Sequence, residues 1–538
     1  MSMETVVRAR GHHTDAVIVT ALIVALVVLP AIVAGTAGAL WIPHNDSWAH
    51  SRIAASFAET GRVHLVGFNR ASMVGMMVPL GSLASSVVGQ HVFVMLCGAA
   101  MIGFSYGTAR RVLPRGRSLL VAALVGVAPG FALLSTSYMT DVPMMAGIAG
   151  GLYFGARYLD GGGVLNLIGS MAFGLWATTV REQGLAAVAA VAVTAWLVRR
   201  DRRRVIFVAS LVTLVAIAAF EVWRRSQPGD DPPMVDPTVG GAVRVLAMGV
   251  MTLMFVCSPA VLLGASKPRS AAAWSFGTAG ALTTAGLVFL LGRGALLGNY
   301  LAADGAYMAM SHGARDTVPG WLLWCAAGLA ILAGTTVAAL CGDVVARARR
   351  RPGRPWRPAG QPVVLLMASF LLIYLAGITV QTFSGQAMFE RYLYPLIVPL
   401  SVLVLRATRT RAAQRAAAAT AALIVVASTA LVTLHTWSST GVVWQAAEEL
   451  VAEGLAPQDV DAGFAWVGLH SNVGVAEDPA RSDVVGGWAA LFSDSRQCAV
   501  VSMGDPVAAT EPVRTITYTK YLFFGQDRVV IERLDPCR

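Results

Sequence analysis

Four short stretches set acids and arginines directly beside long apolar runs. The first is Trp41-Ile42-Pro43-His44-Asn45-Asp46-Ser47-Trp48-Ala49-His50, which follows the first apolar segment. A carboxylate hemmed by tryptophans and a proline at a membrane boundary loses part of its hydration. That raises its proton affinity and suits it to general-base work. The same Asn-Asp-Ser context also suits Asp46 to capping the following helix, and Trp41 and Trp48 to interfacial anchoring. The second stretch, Thr140-Asp141-Val142-Pro143, offers another acid at a helix start. The third, Val180-Arg181-Glu182-Gln183-Gly184, and the fourth, Phe389-Glu390-Arg391-Tyr392-Leu393-Tyr394-Pro395, each pair an acid with an arginine. Each alone reads as a cap or an ion pair. Arginine binds phosphate through two parallel hydrogen bonds, and charges at membrane depth are costly and usually functional. Two arginines and several acids at one interface suit a phosphate-bearing lipid together with a deprotonated nucleophile.

The elements that must hold these residues follow from composition. Of 538 residues, 56% are hydrophobic and only 13% charged, where a soluble chain carries about 25% charged. There are too few polar groups to cover several water-facing surfaces. This excludes soluble, disordered and coiled-coil classes and points to an all-α polytopic membrane bundle. The net charge of +11 does not indicate nucleic acid, because the cations fall in short runs between apolar stretches. Apolar windows long enough to cross ~30 Å of hydrocarbon predict about thirteen spans: 15–40, 90–109, 117–136, 143–158, 164–180, 184–198, 204–222, 242–264, 271–291, 319–341, 362–382, 392–405 and 416–435.

The loops between these spans alternate in charge. One set holds Arg8/Arg10, Arg110 to Arg117, Arg199 to Arg204, Lys267/Arg269, Arg347 to Arg357 and Arg406 to Arg415; only the short loop 159–163 breaks the pattern. The other set holds Asp46, Glu59, Asp141, Glu182, Asp230, Asp231, Asp236, Asp304, Asp316 and Glu390. The positive-inside rule then places the N-terminus in the cytoplasm and the C-terminus outside a cell membrane crossed many times. Ala37-Gly38-Ala39 has the look of a cleavage site, but the apolar run before it exceeds a typical signal core and reads as an uncleaved anchor. After residue 435 composition changes. Acids, turn signals and alternating stretches such as Val513 to Tyr518 predict a small extracytoplasmic α/β domain over 436–538, beside a membrane domain over 1–435. Cys498 and Cys537 both fall in this tail, where a disulfide between them is permitted.

The four stretches together resemble the GT-C superfamily of integral-membrane glycosyltransferases, which includes the protein mannosyltransferases and the lipid A aminoarabinose transferases. The resemblance is best over the first ~200 residues and returns at Glu390 to Pro395, which is similar to an Arg-Tyr-x-x-Pro stretch of that group. It departs in one place: many members carry two adjacent acids where Asp46 is followed by Ser47. The resemblance implies a GT-C-like fold and transfer of a hexosyl or pentosyl group, with inversion, from a polyprenyl-phosphate donor. The acceptor would be an extracytoplasmic hydroxyl on a glycan, lipid or protein. It implies Asp46 as the base and Asp141 as a second catalytic acid that orients the acceptor or holds a cation. Arg181 and Arg391 would neutralise the departing phosphate. Glu182 and Glu390 would orient those arginines, and Tyr392 and His50 would line the substrate. No cofactor is required, although His44, Asp46 and Asp141 would be the set for a divalent cation. Membrane lipid is the surrounding partner. The competing reading is a transporter or flippase of lipid-linked or envelope substrates. Its signature would be ionisable residues within spans and paired broken helices, and few mid-span charges are present.

Overall fold

A computed structural model describes residues 14–534, apart from 68, 230–237, 266, 293–295, 297, 309–310, 351–360, 387, 407–410, 475–487 and 508–512. Arg8, Arg10, Asp230, Asp231, Asp236, Arg293, Glu477, Asp478, Asp483 and most of the Arg/Pro-rich loop lie outside the described residues. The chain is a helical membrane bundle capped at one end by a small sheet. We number its main helices α1 (Thr14–Thr36), α2 (Ser47–Thr60), α3 (Val87–Arg110), α4 (Arg115–Gly126), α5 (Asp141–Leu159), α6 (Val164–Val180), α7 (Leu185–Val198) and α8 (Arg203–Arg225). They continue as α9 (Val239–Leu263), α10 (Ala271–Leu291), α11 (Gly320–Arg349), α12 (Pro362–Phe383), α13 (Ile397–Arg406), α14 (Ala412–Ala452) and α15 (Phe464–His470).

Among the described residues, eight helices are long and apolar enough to cross a membrane, against the thirteen expected: α1, α3, α8, α9, α10, α11, α12 and α14. The differences have local causes. The window 117–136 is broken where Val127 to Gly130 leave the helix; Gly130 takes φ +77° and Pro129 precedes it. The window 392–405 divides into a 3-10 turn, Glu390–Leu396, and the ten-residue α13, with Pro395 at the junction. The apolar helices α6 and α7 are short.

Two packing relationships position the outer ends of the helices. In α5 and α6 small residues let the backbones approach closely. A Cβ on Gly147 would stand 2.8 Å from the Cβ of Ala177 and 3.1 Å from its Cα. Because the two helices are joined by a short turn and run antiparallel, Asp141 at the start of α5 lies beside Arg181 at the end of α6. The second is α14, whose 41 residues run through position 436 without a break. At ~1.5 Å per residue it is about 60 Å long, so it crosses the membrane and then becomes part of the outer domain's core.

That outer domain holds β1 (Val460–Asp461), β2 (Ala499–Met503), β3 (Arg514–Thr519) and β4 (Gln526–Arg533) in the order β1-β2-β4-β3. β1 and β2 are parallel and the other pairs antiparallel. The five residues of β2 are all buried, whereas β3 alternates with one face outward. Cys498 is disulfide-bonded; Cys537, its expected partner, lies outside the described residues. The domain's core draws on the first outer loop as well. Trp48 is fully buried among Val443, Ala446, Val467, Phe464 and Phe492, its ring centroid 5.7 Å and 5.8 Å from the two phenylalanines.

Candidate active site

Asp46 occupies the N-cap position of α2, yet its side chain caps nothing. The preceding Asn45 takes a left-handed φ of +53°, which asparagine tolerates, and its amide donates to Asp46 Oδ2 at 3.1 Å. The backbone N–H of His44 donates instead to Ser47 Oγ at 3.0 Å. Asp46 is half-buried and forms no ion pair within the described residues. Loss of hydration raises its proton affinity above the usual carboxylate range, with Asp141 adding repulsion; Arg391 and Arg181 offset only part of this. Its carboxylate is therefore close to both arginines without being neutralised by either.

Asp141 is the opposite case. It is fully buried, and a single oxygen, Oδ1, meets Arg181 Nη1 at 3.2 Å and Arg391 Nε at 3.1 Å. Two guanidinium groups from distant parts of the chain converge on one carboxylate, and the charges do not cancel. The excess is one positive charge in a place sealed from water. Asp141 Oδ2 and Arg391 Nη1 are both buried without a hydrogen-bond partner. Unmet buried polar groups are costly and mark a place where a ligand would supply the missing bonds.

Aromatic rings enclose the arginines. The Arg181 guanidinium lies 4.6 Å from the centre of the Tyr392 ring. Arg391 lies over Phe389 at 4.7 Å, Tyr392 at 5.4 Å, Tyr300 at 5.5 Å and Tyr307 at 5.6 Å. Such faces stabilise a desolvated cation while leaving its N–H edges free to donate. Tyr392 is held from behind, since its carbonyl accepts from Tyr374 Oη at 2.6 Å.

The remaining expected residues fall around this centre. His50 is buried, and its Nδ1 lies 3.2 Å from the Tyr138 carbonyl. A carbonyl only accepts, so Nδ1 carries the proton. Burial and the Arg181 charge push His50 down to about 4, and burial with the Arg391 charge does the same to His44. Both are neutral imidazoles. Among the described residues no three His, Cys, Asp or Glu side chains group so as to hold a metal ion, the set His44, Asp46 and Asp141 included.

Glu182 and Glu390 do not orient the neighbouring arginines. Glu182 pairs with Arg70 and, at 3.9 Å, with Arg224. The backbone at Arg181 is fully extended, so Arg181 and Glu182 point in opposite directions. Glu390 accepts through Oε1 from the backbone N–H groups of Asn299, at 3.0 Å, and Tyr300. It thereby fixes the loop between α10 and α11. Burial lifts Glu390 to about 7, and its second oxygen is unpartnered.

That loop supplies the residues sequence reasoning missed. Tyr300 is fully buried with its hydroxyl unpartnered, and Tyr307 stands with φ +61°. Their rings lie 5.7 Å and 5.9 Å from His44, closing the space between the first outer loop and Arg391. The signal was available: residues 292–318 form a long outer loop carrying two tyrosines, and long loops inside compact domains are usually functional. Beyond Tyr307 a cavity of about 40 Å³ opens between the first outer loop, α14 and the outer domain, lined by His44, Asn45, Ser311, Thr440 and Trp444.

With this geometry in place, comparison with known proteins is informative. Residues 82–223 match the family model of dolichyl-phosphate-mannose-protein mannosyltransferase. The resemblance drawn from the sequence holds across that segment. It contains Asp141, Arg181 and Glu182 and covers about a quarter of the chain; Asp46 and Arg391 lie outside it. No curated protein matches the chain by sequence. Among solved structures, the chain is similar to ArnT from Cupriavidus metallidurans bound to undecaprenyl phosphate, with 15% identity over 96% of this chain and 99% of that one, and a TM-score of 0.38. It is also similar to the archaeal oligosaccharyltransferase AglB from Archaeoglobus fulgidus, in complex with an inhibitory peptide and a dolichol-phosphate. There the identity is 14% over 89% of this chain and 69% of that one, and the TM-score is 0.34.

Proposed function

We propose that this protein is a membrane glycosyltransferase that moves a sugar from a polyprenyl-phosphate donor to an acceptor hydroxyl, with inversion at the anomeric carbon. One observation carries the reading. A carboxylate of raised proton affinity, Asp46, faces a buried Arg181–Asp141–Arg391 cluster that has a net positive charge and an unpartnered guanidinium nitrogen. The matching family model over residues 82–223 supports the same chemistry.

The mechanism follows from the charges. As the acceptor oxygen attacks, its proton passes to Asp46, whose raised affinity makes it a competent base near neutral pH. The bond from the anomeric carbon to the lipid phosphate breaks, and negative charge grows on the departing phosphate. Arg391 Nη1, free of protein partners, donates to that phosphate together with Arg181; each such preorganised donor can be worth about 3–4 kcal/mol in the transition state. Asp141 keeps the two arginines together and is not itself the base, because both cations already hold its charge. His50, Tyr392, Tyr300 and Tyr307 wall the site. Whether the group moved is a hexose or a pentose is set by this wall, and the acceptor by the outer domain. The charge pattern of the loops supports a cytoplasmic N-terminus and an extracytoplasmic site. In this topology 1–435 and 436–538 act as catalytic and outer domains that share α14.

Incubating purified protein with a panel of labelled polyprenyl-phosphate sugars tests the reading. Release of polyprenyl phosphate that depends on acceptor and on Asp46 is the expected result. Transport of an intact lipid-linked sugar across vesicles, without release, would replace it with the flippase reading.

A further inference from the structure

The turn between β3 and β4 has a composition at odds with a water-facing loop. It reads Lys520-Tyr521-Leu522-Phe523-Phe524-Gly525, and two adjacent phenylalanines stand out of the fold, Phe523 with 72% of its surface exposed and Phe524 with 57%. The backbone presents them actively. Tyr521 and Leu522 both take left-handed conformations, φ +54° and +66°, and the turn is closed by Lys520 N–H donating to the Gly525 carbonyl at 3.0 Å. Bulky residues seldom adopt that region, and they do so where surrounding contacts impose it. Isolated exposed hydrophobics are ordinary, but an adjacent aromatic pair at the tip of a strained hairpin is not.

The depth of the hairpin tip explains it. Tyr521 is buried, its hydroxyl donates to the carbonyl of Thr317, and its ring lies 5.8 Å from His435 of α14. Thr317 stands three residues before α11, a membrane-crossing helix, and the first turns of α11 expose Trp321 (66%) and Trp324 (50%) on one face. Tryptophans at the end of a span sit at the headgroup boundary. The tip is thus tied to the very level at which the bilayer begins. Lys520 beside it provides an amine that can reach lipid phosphates while its stem stays apolar.

We propose that the β3–β4 hairpin is a membrane wedge. Phe523 and Phe524 enter the lipid leaflet on the side of the outer domain, continuing the apolar belt begun by α11, with Lys520 at the phosphate level. The occupant of this surface is phospholipid, and its effect is to hold the outer domain against the bilayer at a fixed height above the site. This does not depend on the sugar-transfer reading.

The test is photocrosslinking in the full-length protein, with p-benzoylphenylalanine in place of Phe523. The protein is reconstituted in nanodiscs of palmitoyl-oleoyl phosphatidylethanolamine and phosphatidylglycerol. Irradiation should add the mass of one phospholipid. The same probe in place of Val507, whose N–H bonds Glu532 near the far end of β4, roughly 20 Å from the tip, should add none. Because Phe524 packs on Tyr521 with ring centroids 5.1 Å apart, a parallel probe at 524 provides a second reading if the first variant misfolds. Monodisperse protein that gives no lipid adduct at either position, or that crosslinks only to a second protein chain, would overturn the wedge.

Discussion

Arg391 and Asp141 meet at 3.1 Å in a fully buried position, while the Arg391 Nη1 and the Asp141 Oδ2 beside that contact have no partner at all. Arg181 shares the same carboxylate oxygen at 3.2 Å. A purely structural ion pair would satisfy both fork and carboxylate, since an unmet buried polar group costs ~1–3 kcal/mol and more when charged. The open valences are instead where a phosphate fits.

Asp46→Asn keeps size and removes the base. The expected outcome is a fall in kcat of about 10²–10⁴-fold, the usual worth of general-base catalysis, with little change in donor affinity. Melting temperature should stay within a few degrees of wild type, because the Asp46 side chain caps no helix and forms no ion pair. Near-normal turnover in steady-state assays would sink the role.

Arg391→Lys retains the charge but loses the fork and the stacked plane. Transfer should drop about 10²–10³-fold, and binding of free polyprenyl phosphate, followed by calorimetry, should weaken with it. If Arg391 served only to neutralise Asp141, lysine would restore most of the activity.

The pH dependence has a definite sign. A base must be ionised to work, and Asp46 holds its proton more tightly than an ordinary carboxylate of about 3.9. Activity should therefore rise with pH through a midpoint clearly above that value. His44 and His50, both pushed down to about 4, stay neutral across the range and add no second limb near 6.5. Measuring kcat/KM from pH 4 to 9 checks both statements.

Glu390 gives a stability counterpart. Its folded value of about 7 lies above the unfolded carboxyl value of about 4.5, so the folded state binds the proton more tightly. That contribution is complete below the unfolded value and is lost as pH rises through 7, for a total of about 3 kcal/mol. Thermal unfolding in detergent should show the decline, and Glu390→Gln should flatten it.

Trp48→Ala removes a fully buried indole from the joint between the first outer loop and the outer domain, at a cost of about 3–5 kcal/mol. Gly468→Ala tests the same joint from the other side, since its Cβ would stand 2.3 Å from Trp48 Cε2. Both should lower melting temperature, and both should reduce transfer although neither residue touches the arginines.

Scarcity of charge is what made Asp46, Asp141, Arg181 and Arg391 readable in sequence. In a chain only 13% charged, each ionised group beside an apolar run must be accounted for, and these four do come together. The partners of Glu182 and Glu390 were not readable, because adjacency does not give direction. An extended backbone at Arg181 sends its neighbour the opposite way, and a 3-10 turn rotates Arg391 about 120° from Glu390. The spans fared likewise. Hydropathy located the long helices to within a few residues at most ends, α14 excepted. It could not see the breaks at Pro129-Gly130 and Pro395, since those residues hardly lower an apolar average. Tyr300 and Tyr307 had no local periodicity to mark them; Glu390 holds their loop in place from ninety residues downstream.

The burial of Trp48 also sets an order of events during synthesis. Asp46 is made among the first residues, but the ring two positions beyond it finds its cover only in Phe464, Gly468 and Phe492, from the final part of the chain. Until that tail has been made and folded, the first outer loop has an uncovered indole and no fixed seat for its carboxylate. The protein therefore carries its own safeguard against premature reaction: a nascent or truncated chain, even with every span in place, holds the charged groups but not the frame that aims them.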